Sequence, residues 1–173
     1  MSNLDISIYS SSELHSSLDV EKYLTFINSR FDTMNSQFHC FDTPRFADVY
    51  EFLGDFKNPE SVLAIARDPK TREIVAAGGY RPEEDTVAEL KCLCAEAGKG
   101  YGTFMNKYVE DLARKKGFTK MNSVVIREHG DLVEFYQKLG YKKLRERRLI
   151  SGGDDWGFGN IIDITIWFMQ KDL

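Results

Sequence analysis

The chain has 173 residues, a length typical of one globular domain built around one hydrophobic core. Hydrophobic residues make up 42% of it and charged residues 29%, so the chain can fill an interior and is not expected to be disordered. The formal net charge of −4 lacks the basic excess of a nucleic-acid-binding protein. No apolar run approaches the roughly 20 residues of a membrane span, and the first residues lack the pattern of a secretory signal. We therefore expect one domain over residues 1–173, soluble and cytoplasmic, that binds neither nucleic acid nor membrane.

Three cysteines are too few, and odd in number, for a disulfide scaffold, which favours a reducing compartment. Cys92 and Cys94 are two positions apart in a predicted strand, so both should point to the same face. A zinc site would need a second pair of ligands beside them. We therefore predict packed thiols and no metal.

The first third of the chain is predicted to be mostly helical after one short strand. Alternation over Asp5–Tyr9 predicts the strand. Asp19 is placed to cap a helix whose apolar residues recur at three- and four-residue intervals. Thr43 and Pro44 are typical of the cap and first residue of a second helix, which Gly54 ends.

A hairpin is predicted in the middle of the chain. Strand-like runs at Ser61–Ala66 and Glu73–Tyr80 are joined by a short polar segment that favours a tight turn. After a second turn, a strand covers Val87–Ala95, in which all the even positions face one way while Glu89 and Lys91 face the other. This strand has one packed face and one face that can carry chemistry.

An amphipathic helix is predicted from the next glycine-bearing stretch to about Lys116, with Gly117 ending it. Glu110 and Asp111 fall on its polar face, each four residues before a basic side chain with which it should pair.

The last third alternates strands with one short helix. The run Lys120–Arg127 predicts a strand, and Asp131 with Glu134 forms a capping box for a helix that Gly140 ends. Two final strands are predicted at Tyr141–Leu149 and Ile161–Met169.

Three glycines, Gly98, Gly100 and Gly102, carry the chain from a strand into the long amphipathic helix. Unpaired N–H groups and the positive end of the helix dipole allow a pyrophosphate to bind at such a start, provided that no side chain blocks its approach. Lys99 and the Thr103 hydroxyl can add direct contacts. The alternative is a flexible turn without a ligand, and the spacing matches neither the P-loop nor the dinucleotide fingerprint.

A second motif, EFYQKLGY at residues 134–141, follows the next predicted strand. Together with Gly100 and Gly102 it resembles the GNAT superfamily of N-acetyltransferases, over residues 87–144. The two glycines match the small positions of the family's pyrophosphate-binding turn, and EFYQKLGY resembles its FYxKxGF element. Ala97 stands where the family usually has Gln or Arg, so backbone amides should carry more of the phosphate binding here.

The resemblance implies an α/β fold with a mixed, mostly antiparallel central sheet flanked by helices. It also implies that a primary amine directly attacks the thioester of acetyl-CoA within a ternary complex, without a metal. In relatives, the strand before the glycine turn diverges from its neighbour and its free backbone groups bind the pantetheine arm. The corresponding positions here are Leu93, Cys94 and Ala95 for the pantetheine arm, and Gly98, Lys99, Gly100, Tyr101, Gly102 and Thr103 for the pyrophosphate.

Two side chains are the candidates for proton transfer. Tyr136, in the second motif, is the candidate acid, because a phenol can donate to the charge that develops on sulfur; the alternative is a packed aromatic. Glu89 faces away from Leu90 and is the candidate base, a placement used by some relatives; the alternative is a structural glutamate paired with Lys91 or a neighbouring strand. His129 is a second candidate base, or a solvated residue before a helix.

The sequence gives less information about the acceptor than about the cosubstrate. Aromatic residues enrich the helical first third, which forms one wall of the acceptor cleft in relatives, although such stripes are usually core. Asp154, Asp155 and Trp156 lie in a late loop that can attract a cationic amine, or is a solvated turn. We expect a small amine, an amino acid or a polyamine. The alternatives are a protein lysine or N-terminal amine, or a CoA-binding domain without turnover. Family members are often dimers, so the resemblance allows a homodimer.

Overall fold

Seven strands and five helices make up the computed structural model, which describes residues 4–153 and 159–173. The strands are β1 (Asp5–Ser10), β2 (Val62–Arg67), β3 (Ile74–Glu84), β4 (Val87–Ala95), β5 (Lys120–Ile126), β6 (Lys142–Leu149) and β7 (Ile164–Asp172). The helices are α1 (Ser11–His15), α2 (Val20–Phe38), α3 (Val49–Gly54), α4 (Tyr101–Lys115) and α5 (Gly130–Lys138).

The strands form one mixed sheet in the order β1-β2-β3-β4-β5-β7-β6. Neighbouring strands are antiparallel except β4 and β5, which are parallel. The predicted fold class, a mostly antiparallel sheet flanked by helices, is therefore confirmed. The predicted hairpin is β2–β3, although β3 runs on to Glu84, so the second turn falls later than expected.

Hydrophobic side chains pack on both faces of the sheet. Along β2, Ala64 and Ala66 lie in a cluster with the apolar stripe of α4, while Leu63 and Ile65 lie in a cluster with α2 and α3. Alternate residues of a strand point to opposite faces, so α4 covers one face and α2 with α3 covers the other. A third, smaller cluster gathers around Cys40 and residues of β6 and β7.

The predicted helix start at Thr43 and Pro44 is wrong. Helix α3 begins after Asp48, whose carboxylate accepts a hydrogen bond from a backbone N–H of the first turn at 2.9 Å. The segment before it is a loop, because the amides of Asn28 and Asn35 in α2 exchange hydrogen bonds with its backbone. These bonds satisfy backbone groups that a helix would have used internally.

Two other predicted caps differ in the structure. Asp19 does precede α2, but its carboxylate lies 2.6 Å from the Lys22 ammonium, and it caps no backbone N–H of the described chain. The capping box of Asp131 and Glu134 is wrong, because α5 begins earlier, with His129 at the N-cap. The predicted end is confirmed: Gly140 follows α5 with a φ of 95°.

The predicted exposed ion pairs of α4 are also wrong. Glu110 is buried, and its two carboxylate oxygens lie 2.6 Å from the Asn106 amide and 2.7 Å from the Lys171 ammonium of β7. Asp111 pairs with Arg114, three residues on. Glu110 therefore links α4 to β7 instead of forming an ion pair on an exposed surface.

The final strand, β7, begins at Ile164, three residues later than predicted. Asn160, just before it, forms an isolated bridge with Phe41 in the loop after α2. No helix in the described ranges is both long and apolar enough to cross a membrane.

Candidate functional site

Strands β4 and β5 pair only at their beginnings. Val87, Ala88 and Glu89 lie opposite residues 120–122, and from there β4 continues beside β3 while β5 continues beside β7. A gap therefore opens between residues 90–95 of β4 and residues 123–126 of β5. We call this gap the wedge; its closed end lies at Glu89 and its open end faces the glycine turn.

A β-bulge changes the facing of β4 inside the wedge. Cys92 has a φ of 55°, and the pairing with β3 slips by one residue there. Ala88 and Leu90 lie in the cluster under α4, whereas Cys92 and Cys94 lie in the cluster under α2 and α3. The two cysteines share a face, as predicted, but the prediction that they share it with Ala88 and Leu90 is wrong. Simple alternation fails because the bulge adds one residue.

Both cysteines are free thiols. Burial raises the pKa of the Cys92 thiol to about 12 and also raises the pKa of Cys94, so both stay protonated at neutral pH. The described residues contain no group of three or more metal-ligating side chains. These cysteines are packed thiols.

The glycine turn leaves the beginning of α4 open. Gly98 and Gly100 have φ values of 76° and 74°, and a Cβ at either position would meet no atom of the described chain within 4 Å. Gly100 is the N-cap, so no side chain of the described residues caps the first N–H groups, and the first turn holds no acidic residue. This geometry fits a diphosphate.

Gly102 has a different role from the other two glycines. It is helical, and a Cβ there would lie 3.6 Å from the Phe135 ring of α5. Its small size therefore permits close packing of α5 on α4. Tyr101 and Thr103 flank it in the first turn, with Tyr101 as the first helical residue.

Lys99 does not point freely into solvent. Its ammonium lies 2.8 Å from the Glu96 carboxylate, and both groups are on the surface. An exposed pair of this kind contributes little stability, so a bound phosphate can replace Glu96 as the partner of Lys99.

Tyr136 is buried on α5 and its ring packs edge-on against Tyr141 at 5.4 Å between centroids. Burial raises its pKa to about 12; a hydrogen bond with Ser123 of β5 opposes this rise, and the neighbouring Cys94 of β4 adds to it. Its hydroxyl therefore has one neighbour on each of the two diverging strands. The phenol lies at the wedge and keeps its proton at neutral pH.

Glu89 belongs to a closed ring of four alternating charges, Asp55, Arg81, Glu89 and Lys91, which we call the charge ring. Arg81 contacts Glu89 through Nη2 at 2.6 Å and Nε at 2.7 Å, and contacts Asp55 at 3.0 Å. Lys91 closes the ring, with Nζ 3.2 Å from Asp55 and 3.4 Å from Glu89. Glu89 is thus paired with Lys91 and with Arg81 of the neighbouring strand, and its role as the base stays a prediction.

The charge ring lies on the face of the sheet opposite α4. Asp55 directly follows α3, which covers that face, and Ala88 and Leu90 on either side of Glu89 point toward α4. Glu89 is also the last residue of β4 that pairs with β5. The ring is therefore at the closed end of the wedge.

His129 is not the solvated residue that one alternative predicted. It is 1% exposed and its ring packs against Phe38, the last residue of α2, at 4.7 Å between centroids and with the rings tilted by 32°. Burial lowers its pKa, and neither ring nitrogen has a hydrogen-bond partner in the described part of the chain. It is neutral at pH 7.

Of the aromatic residues in the first third, Phe46, Phe52 and Phe56 are buried and Tyr50 is exposed. Four others are partly buried and pack against the core clusters: Phe26, Phe31, Phe38 and Phe41. The predicted acceptor residues Asp154, Asp155 and Trp156 lie outside the described residues. A groove of about 590 Å³ lies between α2 and the ends of β3 and β4. It is lined by Glu21, Lys22, Thr25, Phe26, Ser29, Arg30, Glu73, Ile74 and Glu96.

The charge ring and the adjacent Arg45 together form a charged cluster of five residues, three of which the sequence did not predict. Asp55 and Arg81 belong to the ring, and Arg45, in the loop before α3, lies 3.7 Å from Asp55. The pattern of β4 did single out Glu89 and Lys91 as a face that can carry chemistry. It held no signal for their partners, which come from other elements.

A family model supplies the deciding comparison. The model of the acetyltransferase (GNAT) family matches residues 27–141, about two thirds of the chain. The chain belongs to the GNAT acetyltransferase family. The predicted enzyme class, an acyltransferase, is confirmed.

Solved structures of GNAT proteins share this fold over nearly the whole chain. One is the ribosomal-protein-alanine N-acetyltransferase from Brucella melitensis, with 16% identity, a TM-score of 0.68, and coverage of 98% of this chain and 100% of that one. The ribosomal-protein-S18-alanine N-acetyltransferase from Escherichia coli has 14% identity, a TM-score of 0.68, and coverage of 98% and 94%. A GNAT family acetyltransferase from Elizabethkingia anophelis with acetyl-CoA bound has 16% identity, a TM-score of 0.66, and 100% coverage of both chains. No curated protein matches in sequence.

Proposed function

We propose that this GNAT protein transfers the acetyl group of acetyl-CoA to a primary amine of a small molecule, by direct attack in a ternary complex. The observation that carries the proposal is the wedge between β4 and β5, which opens toward an uncapped helix N-terminus behind two glycines of positive φ. A linear arm that ends in a diphosphate matches this geometry.

The backbone supplies most of the binding. The first N–H groups of α4, around Tyr101 and Thr103, donate to the diphosphate, with Lys99 as an added cation. Leu93, Cys94 and Ala95 have β3 on one side and the wedge on the other, so their backbone groups on the wedge side are free to hold the pantetheine arm. The absence of Gln or Arg at residue 97 makes these amides the main contacts.

The bound cosubstrate supplies the acetyl thioester, and the protein manages the protons. An ammonium acceptor loses one proton before its nitrogen can attack the carbonyl carbon, and a second proton as the carbon–nitrogen bond forms. The carbon–sulfur bond breaks and the sulfur gains one proton, which leaves one for solvent. Glu89 accepts a proton from the acceptor, and Tyr136 donates one to sulfur.

The two assignments match the surroundings of each side chain. The Tyr136 hydroxyl lies among groups of both diverging strands and is protonated, as a proton donor must be. Glu89 is at the closed end of the wedge on the face opposite α4, where an acceptor can approach without crossing the cosubstrate arm. His129 is the weaker candidate base because it is buried and packed against Phe38.

The test combines binding with turnover. Calorimetric titration should show coenzyme A binding, and a panel of amines should release free thiol with formation of N-acetyl products by mass spectrometry. The panel includes small amines, amino acids, spermidine, and peptides with lysine or a free N-terminus, so that small-molecule and protein acceptors are separated. Coenzyme A binding without thiol release would indicate a domain that has lost turnover, and no binding would overturn the proposal.

The role of Glu89 is tested by pH dependence. Glu89→Gln should remove the acidic limb of the kcat/KM profile, whereas Glu146→Gln, an exposed pair on β6, should retain it. An acidic limb unchanged in the Glu89 variant would eliminate Glu89 as the base.

A further inference from the structure

The charge ring lies where the acceptor must meet the thioester, if the proposed function is correct. An arm that begins at the glycine turn and runs along the wedge ends near its closed end, beside Glu89 and Lys91. The acceptor then approaches from the face that carries the ring.

The composition of the ring is unusual for a site that takes a simple cationic amine. With Arg45 included, the cluster holds three cations and two carboxylates, a net charge of +1. Lys91 is 9% exposed, but Arg81 and Arg45 have 38% and 34% of their side-chain surface exposed. The cluster is therefore reached from solvent through its guanidinium groups.

We propose that the charge ring selects acceptors that carry a carboxylate beside the amine, that is, α-amino acids. The acceptor carboxylate takes the place of Glu89 at Arg81, because a guanidinium binds a planar carboxylate with two parallel hydrogen bonds, whereas both contacts of Arg81 with Glu89 fall on one oxygen. The acceptor ammonium replaces Arg81 as the partner of Glu89. Each charge keeps a partner of opposite sign throughout this exchange.

Other amines lack this balance. A monoamine without a carboxylate can pair with Glu89 only by leaving Arg81 with one carboxylate fewer, and an uncompensated charge in a partly buried site is costly. A polyamine adds two or more positive charges to a cluster that is already net positive. A protein N-terminus has its carboxylate converted to a peptide bond, so it resembles the monoamine.

The same exchange links recognition to proton transfer. In the free protein, one oxygen of Glu89 accepts hydrogen bonds from Nε and Nη2 of Arg81, so the carboxylate is held away from the role of base. Binding of an acceptor carboxylate at Arg81 releases Glu89 toward the ammonium. The base is then available only with the acceptor that the ring selects.

The experiment compares each amino acid with its own α-amide, which removes the negative charge and keeps the α-amine. We expect kcat/KM to be at least about 10-fold higher for the acid, the worth of one charged hydrogen-bonded contact. The amide carries the less basic amine, so its larger fraction of free amine works against this result. Arg81→Gln should reduce the preference to less than about 3-fold, and Arg114→Gln, an exposed pair on α4, should retain it.

A second variant and a binding measurement keep the test decisive. Arg45→Gln removes a cation from the edge of the cluster and should also lower the preference for the acid. This variant provides the test if Arg81→Gln does not fold. Equal or better use of the amides by the wild type overturns the selection while acetyl transfer stands. A preference for the acid that survives both arginine variants overturns it as well. Failure to bind coenzyme A overturns the proposed function and the selection together.

Discussion

Tyr136 has the surroundings of a proton donor: a buried phenol, a Ser123 hydrogen bond and a raised pKa of about 12. We expect Tyr136→Phe to lower kcat by about 10²-fold and to leave the dissociation constant of coenzyme A unchanged, because only the donated proton is lost. Measurement of kcat and calorimetric titration check both parts. The matched control is Tyr108→Phe, a partly buried tyrosine of α4 that stacks on Phe104.

The pH dependence sharpens this prediction. With a pKa of about 12, Tyr136 stays protonated across an assay range of roughly pH 6 to 10, so kcat of the wild type should show no alkaline fall from this group. Unchanged turnover in the phenylalanine variant would remove the assignment, whatever the profile shows.

The structure gives Glu110 a very different role from the exposed ion pair that the sequence spacing predicted. Glu110→Ala leaves the Lys171 ammonium and the Asn106 amide without their partner in a buried network, so we expect the free energy of unfolding to fall by about 3 kcal/mol. Asp111→Ala, which removes only an exposed pair with Arg114, should cost less than about 1 kcal/mol. Urea unfolding of both variants provides the comparison, and equal losses would contradict the structural role of Glu110.

Spacing along one helix could not predict this network, because Lys171 is 61 residues away from Glu110 in the chain. The charge ring shows the same limit. The alternation of β4 marked Glu89 and Lys91, but Asp55 lies 26 residues before Arg81 and meets it only in the folded sheet. Local patterns identify the side chains that carry charge; tertiary contacts determine their partners.

At the scale of elements, the beginning and the end of α4 offer a matched pair of glycines. Gly100 and Gly117 both have positive φ, and a Cβ at either would meet no described atom within 4 Å. Alanine at each should cost about 1 to 2 kcal/mol of stability through backbone strain. Only Gly100→Ala should also weaken coenzyme A binding, by about 10-fold, since its methyl group would stand beside the proposed diphosphate site. Urea unfolding and calorimetry on both variants separate the strain from the loss of binding.

An equal loss of coenzyme A affinity in the Gly117 variant would show that strain in α4, not access to its first N–H groups, controls binding. The comparison therefore tests whether the glycine turn and the first N–H groups of α4 form the proposed diphosphate site.

Periodicity predicted most of the elements well. The alternation over Val87–Ala95 gives the bounds of β4, and the predicted end of α4 is right to within one residue. The starts of α3 and α5 were wrong, because the choice of N-cap depended on backbone bonds from α2 and on His129. The bulge at Cys92 had no signal in the sequence, since it is produced by pairing with β3.

At the scale of the whole molecule, buried acids predict loss of stability in alkali. Burial raises the pKa of Tyr80, Tyr136 and Cys92 to about 12, above the unfolded values of about 10 for tyrosine and about 8.5 for cysteine. The folded state holds these protons more tightly, so their contribution to stability is complete below the unfolded pKa and is lost as pH rises toward 12. The urea midpoint should fall between pH 8 and pH 11.

Tyr80→Phe offers a check on this origin. The Tyr80 hydroxyl has no hydrogen-bond partner among the described residues, so its removal should cost little at pH 8 and should make the alkaline fall shallower. An unchanged dependence on pH in this variant would assign the fall to other groups.

The family and fold could be predicted from two short motifs, because the glycine turn and EFYQKLGY occupy one continuous part of the chain. The acceptor could not be predicted from the sequence. Its candidate binding groups come from β3, β4, the residue after α3 and the loop before it, and no motif spans them.

The extra residue at Cys92 divides β4 into two stretches whose proposed roles differ. Before it, Glu89 and Lys91 lie on the face opposite α4; after it, the backbone of Leu93–Ala95 is the proposed binding site of the pantetheine arm. Deletion of Cys92 would remove the bulge and restore simple alternation, with Leu93 and Ala95 still on the face of α4 and Cys94 still on the opposite face. The proposed sites for the acceptor amine and for the cosubstrate arm therefore lie on either side of one bulge in β4.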